Sequence, residues 1–164
     1  MTPGKMKRLI YITICLLAFA SCKKNAVTTS YPFGSWSMNN TTFKVTSCLA
    51  DSAAANVTAT DSFIGNPSCN IVVNFNTTLP TGNGWYTVAN EGLQPAPGQV
   101  SISVGYSAPG VLNNYLCTGG NGTQKVNVTV SGGKINISGT GIEMVNIGYG
   151  TDSTALNFNI TQTQ

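Results

Sequence analysis

The chain has 164 residues, eight of them basic and five acidic, and no histidine at all. Lacking histidine, it has no commonest general base, no Ser-His-Asp type triad and no ligand set for most zinc or copper sites. No Arg follows Arg8, which removes bidentate carboxylate or phosphate clamps, and no basic stripe marks a nucleic-acid partner.

Lys5, Lys7 and Arg8 precede an apolar run from Leu9 to Ala20. At about 12 residues the run is too short for the ~20 needed to cross a bilayer as a helix. A basic patch, a short apolar stretch and a small-residue exit at Ser21-Cys22 make up a secretory signal peptide. Ala20-Ser21-Cys22 resembles the bacterial lipobox, with Phe19 where Leu is usual. The resemblance implies cleavage before Cys22 and attachment of lipid to it. Several acyl chains at ~0.8 kcal/mol per buried CH₂ hold a protein on a membrane where one does not. The Ser-Cys-Lys-Lys junction is similar to lipoproteins of Bacteroidota, in which acidic residues after the Cys direct export to the surface. Lys23 and Lys24 stand there instead, which favours the periplasmic face of the outer membrane.

Residues 1–21 are thus expected to leave as a signal peptide, 22–30 to form a lipidated tether, and 31–164 to fold as one β domain. Removal of the leader takes three of the eight basic residues, so five Lys face five carboxylates and the mature protein is close to neutral. The folded length suffices for a real apolar core.

Gly, Pro, Asn and Thr recur too often for helices, and period-two alternation dominates. In chain order, strands are expected over Thr41–Leu49, Val57–Ile64, Asn70–Asn76, Trp85–Ala89 and Gln99–Tyr106, with Val111–Cys117 open to either reading. Pro95-Ala96-Pro97-Gly98 reads as a rigid connector. Val126, Val128 and Val130 alternate with polar residues before Gly132-Gly133, whose positive φ angles suit a two-residue hairpin. Ile135 and Ile137 lie on the return strand, Gly139-Thr140-Gly141 is expected to turn the chain again, and Ile142–Ile147 with Ala155–Thr161 complete a four-strand meander. Eight to ten short strands with no helix to cover a sheet predict an all-β fold: an antiparallel β-sandwich of immunoglobulin-like or related type, with a small β-barrel as the alternative. The Gly84–Val88 stretch, the Gln99–Ile102 strand and the Lys125–Ser138 hairpin resemble small β-sandwich lipoproteins of Bacteroidota, a likeness that supplies no active residues.

Export permits a disulfide. Once Cys15 has left with the leader and Cys22 carries lipid, Cys48, Cys69 and Cys117 remain. Three cysteines cannot all pair within one molecule. Cys48–Cys69 is the first choice and Cys69–Cys117 its rival, given a Cα separation of roughly 4.4–6.8 Å.

No catalytic constellation emerges. Asp51, Asp61, Glu91, Glu143 and Asp152 show no spacing that argues for paired acid–base chemistry or for the oxygen density of a calcium loop, and neither metal nor cofactor is expected. Gly-rich Thr118–Gly122 lacks the helix and the Lys-Ser/Thr of a phosphate loop. Asp51-Ser52-Ala53 and Asp152-Ser153-Thr154 resemble the O-glycosylation acceptor of Bacteroidota, which makes Ser52 and Ser153 candidate modification sites. The residues opposite the apolar rows (Asn127 and Thr129, Asn136 and Ser138, Asn157, Asn159 and Thr161) make an uncharged Asn/Thr face rich in donors and acceptors. Such groups recognise carbohydrate when an aromatic platform adjoins them, and Trp36, Trp85, Tyr86 and Tyr115 are the candidates. The expectation is a non-enzymatic, membrane-anchored envelope module, binding or structural, whose partner is a glycan or an envelope protein.

Overall fold

The computed structural model describes residues 31–61, 69–90, 94–108, 111–148 and 152–163, excluding the side chains of 107, 108, 111 and 112. Segments 1–21 and 22–30, with Cys22, lie outside the described residues, as do Ser62, Glu91 and Tyr149. Alternating apolar residues form eleven strands: β1 Gly34–Met38, β2 Thr41–Lys44, β3 Ser47–Asp51, β4 Asn56–Asp61, β5 Cys69–Asn74, β6 Gly84–Val88, β7 Gln99–Ala108, β8 Val111–Cys117, β9 Lys125–Ser131, β10 Lys134–Asn146 and β11 Ser153–Thr161. A tight turn occupies Gly119–Gly122, with Gly120 and Asn121 at left-handed φ of +50° and +54°. The fold is all-β, as expected.

The strands run in the order β2-β1-β11-β10-β9-β6-β7-β5-β4-β3, and β8 bridges β7 to β10. Because β6 pairs with both β9 and β7, while β8 closes the gap between β7 and β10, five strands (β6, β9, β10, β8, β7) form a closed barrel. All contacts in that ring are antiparallel except β6–β7. Closure removes free edges from the centre of the fold. On one side β10 continues into β11, β1 and β2; on the other β7 continues into β5, β4 and β3.

Three local expectations are corrected. Thr41–Leu49 is two strands, because the chain changes partners at a corner: Val45 N–H donates to Gly34 O and Thr46 N–H to Thr60 O. Gly139-Thr140-Gly141 does not reverse the chain. Gly139 stands opposite Phe158 and Ile142 opposite Leu156, so Thr140 and Gly141 together oppose Asn157 in a β-bulge. Gly141 adopts φ +65° there, a conformation that suits glycine in a bulge. One bent strand therefore serves two neighbours, its first half pairing with β9 and its second with β8. Finally, β1 has no counterpart among the expected strands; it extends the sheet through Trp36↔Phe158 and Ser35↔Asn159. The expected Gly132–Gly133 hairpin is present, with φ +59° and +77°.

Inward positions of every strand meet in one core that includes Trp36, Ile71, Ile102, Ile137, Leu156 and Ile160. Aromatic side chains join its two sides. Trp36 stacks on Phe43 at 5.3 Å between ring centroids, and Phe43 meets Tyr106 edge-on at 6.2 Å. Phe75 and Tyr86 make a second edge contact at 5.4 Å. Such pairs contribute ~0.5–1.5 kcal/mol beyond area burial.

The cysteines belong to this core. Neither candidate disulfide is present: Cys48, Cys69 and Cys117 are buried thiols. Cys48 on β3 and Cys69 on β5 are separated by β4. Two strand spacings and an offset of two residues, since Cys48 is level with Ile71, put their Cα atoms roughly 12 Å apart, beyond disulfide reach. Cys69 and Cys117 are separated by β7, Cys69 level with Tyr106 and Cys117 four residues further along, level with Ile102. Burial pushes the Cys48 thiol up to about 11. Burial, with the Asp61 carboxylate opposite, does the same to Cys69. The Cys117 sulfur accepts from Ile102 N–H at 3.1 Å and faces Ala89 O at 3.3 Å. It sits where β8 departs from β7, in the place of the next ladder bond.

Candidate functional site

The four candidate aromatics divide sharply. Trp36 is 1% exposed and part of the core. Tyr115 is buried too, its hydroxyl accepting from the Asn39 side-chain amide at 3.2 Å. Tyr86 packs half-buried against Phe75. These three are therefore core residues and not a platform, because each occupies an inward position of its strand. Trp85 alone is on the outside, 68% exposed. Its strand pairs with β9 from Gly84 to Thr87 but with β7 only at Thr87 and Val88, so the flank of Trp85 away from β9 meets no strand.

Strand register places Trp85 on the polar face. Trp85 opposes Asn127, Asn127 opposes Ser138, Ser138 opposes Asn159, Asn159 opposes Ser35 and Ser35 opposes Lys44. One row thus crosses six strands, with an exposed indole at one end. A second row, Thr129–Asn136–Thr161, runs beside it. A third carries Asn157, Ser37 and Thr42. Outward positions are polar because period-two alternation leaves them no apolar neighbours.

Hydrogen bonds fix part of this surface. The Asn136 amide donates to Asn159 Oδ1 at 2.9 Å and to Thr161 Oγ1 at 2.8 Å. Asn157 Oδ1 accepts the Gly141 N–H at 2.9 Å, holding the bulge. The side chains of Asn127 and Ser138, between these bonds and Trp85, make no hydrogen bond among the described residues. A shallow depression of about 320 Å³ lies at the bulge, lined by Ser35, Ser37, Thr140, Asn157 and Asn159 above Trp36 and Phe158.

Two further depressions lie among the described residues. A depression of about 360 Å³ on the opposite sheet is lined by Asn74, Ser101, Ser103 and Gln94, with no charged side chain, and its one aromatic, Phe75, is buried. A cleft of about 140 Å³ between Met38, Phe43, Tyr106 and Tyr115 opens beside Asn39 and Asn113.

The remaining sites are dispersed. Asp51 Oδ1 accepts from Ala53 and Ala54 N–H at the β3–β4 turn, leaving Ser52 exposed. Ser153 is exposed at the start of β11. Glu143 accepts from Thr118 Oγ1 at 3.0 Å on the second half of β10. Asp61 accepts the Lys44 N–H at 3.0 Å. Among the described residues no three His, Cys, Asp or Glu side chains are grouped to hold a metal, and no helix is long and apolar enough to cross a membrane.

Fold and surface together define an all-β domain in which a five-strand barrel is extended into a sheet with a polar face and, among the described residues, one exposed tryptophan. Comparison with protein families, with characterised proteins and with solved structures finds no match to this chain.

Proposed function

We propose that this protein is a lipid-anchored, non-enzymatic module of the bacterial envelope that binds glycan on the polar face beside Trp85. The observation that carries the reading is the register of Trp85 with Asn127, Ser138 and Asn159. A sugar ring offers an apolar face of C–H groups and a rim of hydroxyls. An indole takes the first, and amide and hydroxyl side chains take the second. Trp85, 68% exposed, presents an indole face to solvent beside these polar groups, which supports the reading. Lipid on Cys22 with the short 22–30 tether keeps this face near the membrane, on the periplasmic side of the outer membrane. Nothing in the proposed mechanism breaks a bond; specificity arises from pairing hydroxyls with fixed amides.

The test is a glycan array probed with the purified protein and with Trp85→Ala. Binding that disappears in the variant supports the reading, and no binding to any envelope or dietary glycan sinks it. Fatty-acid labelling of cells tests the anchor: Cys22→Ser is expected to lose the label and the membrane association together. A second reading, docking of an envelope protein, draws on Leu49, 54% exposed on the terminal strand β3. Cross-links in cells that map to β3 would favour it over glycan binding.

A further inference from the structure

The charges around Trp85 are not distributed as the neutral composition suggests. Outward positions of β9 carry Asn127, Thr129 and Ser131 opposite Ser138, Asn136 and Lys134 of β10, with Lys125 at the start of β9. Two lysines and no carboxylate stand on β9 and on β10 before its bulge. Lys125 is exposed and pairs with Thr87, two residues along β6 from Trp85, which makes it a diagonal neighbour of the indole. It forms no ion pair among the described residues. Lys134 donates to Thr163 O at the far end. Three of the four described carboxylates are engaged elsewhere: Asp51 in its turn, Asp61 on the Lys44 N–H, and Glu143 beyond the bulge on Thr118. Asp152 lies before β11.

Geometry adds a length. From Trp85 on β6 to Ser35 on β1 the central row crosses four strand spacings, roughly 19 Å at ~4.8 Å each. That is the span of several sugar units, and it passes the 320 Å³ depression at the bulge before it ends. A single ring on Trp85 reaches neither the depression nor Asn159.

From these placements we infer that the glycan is an extended, carboxylated saccharide, a uronic-acid oligomer lying across the strands from Trp85 toward the β10 bulge with a carboxylate on Lys125. The inference rests on the glycan reading above and adds charge and length to it. An ammonium donates to hydroxyls and carboxylates alike, but only to a carboxylate does it add charge attraction, so a saccharide that carries carboxylates gains most from Lys125. The lysine acts as a point charge without the fork of an arginine, so it selects for charge while the Asn, Ser and Thr rows read the hydroxyls.

The experiment titrates the purified protein with galacturonate, glucuronate and mannuronate–guluronate oligomers of increasing length, each beside its carboxyl-reduced counterpart. At least one uronate series is expected to bind more tightly than its reduced form, to gain affinity with length, and to weaken as salt is raised. Lys125→Gln is expected to lower uronate affinity about fivefold, the upper end for an exposed ion pair, and to leave the reduced oligomers unchanged. Equal binding of charged and reduced oligomers, both lost in Trp85→Ala, overturns the inference and leaves the glycan reading intact. No gain in affinity with length overturns the extended mode. Absence of binding to every saccharide overturns both.

Discussion

Trp36 and Trp85 are the only tryptophans in the chain, and their opposite environments make a quantitative test of the architecture. Trp36 is 1% exposed, stacked on Phe43 at 5.3 Å, and held between β11 and β2 by its strand's pairing. A buried Trp removes ~150–250 Å² from water, which at ~25 cal/mol per Å² amounts to roughly 4–6 kcal/mol as an upper bound. Measured truncations of this kind fall at ~3–5 kcal/mol. One term opposes burial: the Trp36 Nε1–H is buried and finds no acceptor among the described residues, a penalty of about 1–3 kcal/mol. Trp36→Ala is therefore expected to destabilise the protein by ~3–5 kcal/mol. Trp36→Phe loses part of the area but also the unpaired N–H, and is expected within about 1 kcal/mol of the parent. Trp85→Ala is expected to change stability by no more than ~0.5 kcal/mol, as for other surface positions. Urea unfolding followed by far-UV circular dichroism measures all three. Fluorescence adds an independent reading: Trp36→Phe leaves a red-shifted, quencher-accessible emission from Trp85, and Trp85→Phe leaves a blue-shifted, protected one from Trp36. A Trp36→Ala loss below 1 kcal/mol, or a Trp36 emission open to iodide, would refute the assignment of Trp36 to the core.

Two further expectations concern the thiols. Cys117→Ala removes both partners that the sulfur provides at the β6–β7–β8 junction, leaving Ile102 N–H and Ala89 O buried. A loss of ~1–3 kcal/mol is expected, and amide exchange at Ile102 should accelerate; unchanged exchange would show that the sulfur is not holding the junction. Cys48 and Cys69 are raised from 9.0 to about 11 in the folded protein. The unfolded chain thus gives up these protons first as pH rises, so their contribution is complete below pH 9 and is lost between about pH 9 and 11. Unfolding free energy measured across that interval should fall, and the slope should shrink in Cys48→Ala/Cys69→Ala; a slope that survives both replacements assigns it to other groups.

Much of the architecture was legible in the chain because its determinants are local. Period two in Val126–Val130, Ile71–Phe75 and Val100–Tyr106 follows from the pleat, and Gly132-Gly133 writes its hairpin in two residues. The strand character of the described residues followed from the same punctuation. What failed depended on partners distant in sequence. Thr41–Leu49 alternates without a break, yet its halves join different neighbours at Val45 and Thr46. Gly139-Thr140-Gly141 has the composition of a turn and acts as a bulge, since β11 pairs with the chain both before and after it and carries the bent strand onward. Residues Gly34–Met38 are too short and too mixed to announce a strand, and β11 makes them one.

The surface divides in the same way. In the carboxyl-terminal third, sequence alone determined which residues face away from the core, because alternation assigns Asn127, Thr129, Asn136, Ser138, Asn157 and Asn159 to one side, and it determined their chemistry: neutral amides and hydroxyls. It also placed all four aromatics as equals, since a strand-borne Trp or Tyr carries no local mark of burial. Only tertiary structure decided that Trp36, Tyr86 and Tyr115 fill or border the core while Trp85 stands out, and that register aligns Trp85 with Asn127, Ser138 and Asn159 in one row. The cysteines follow the same rule. Spacing along the chain allowed either disulfide, but the distance between two cysteines is set by how many strands lie between them, and pairing order is a property of the whole sheet.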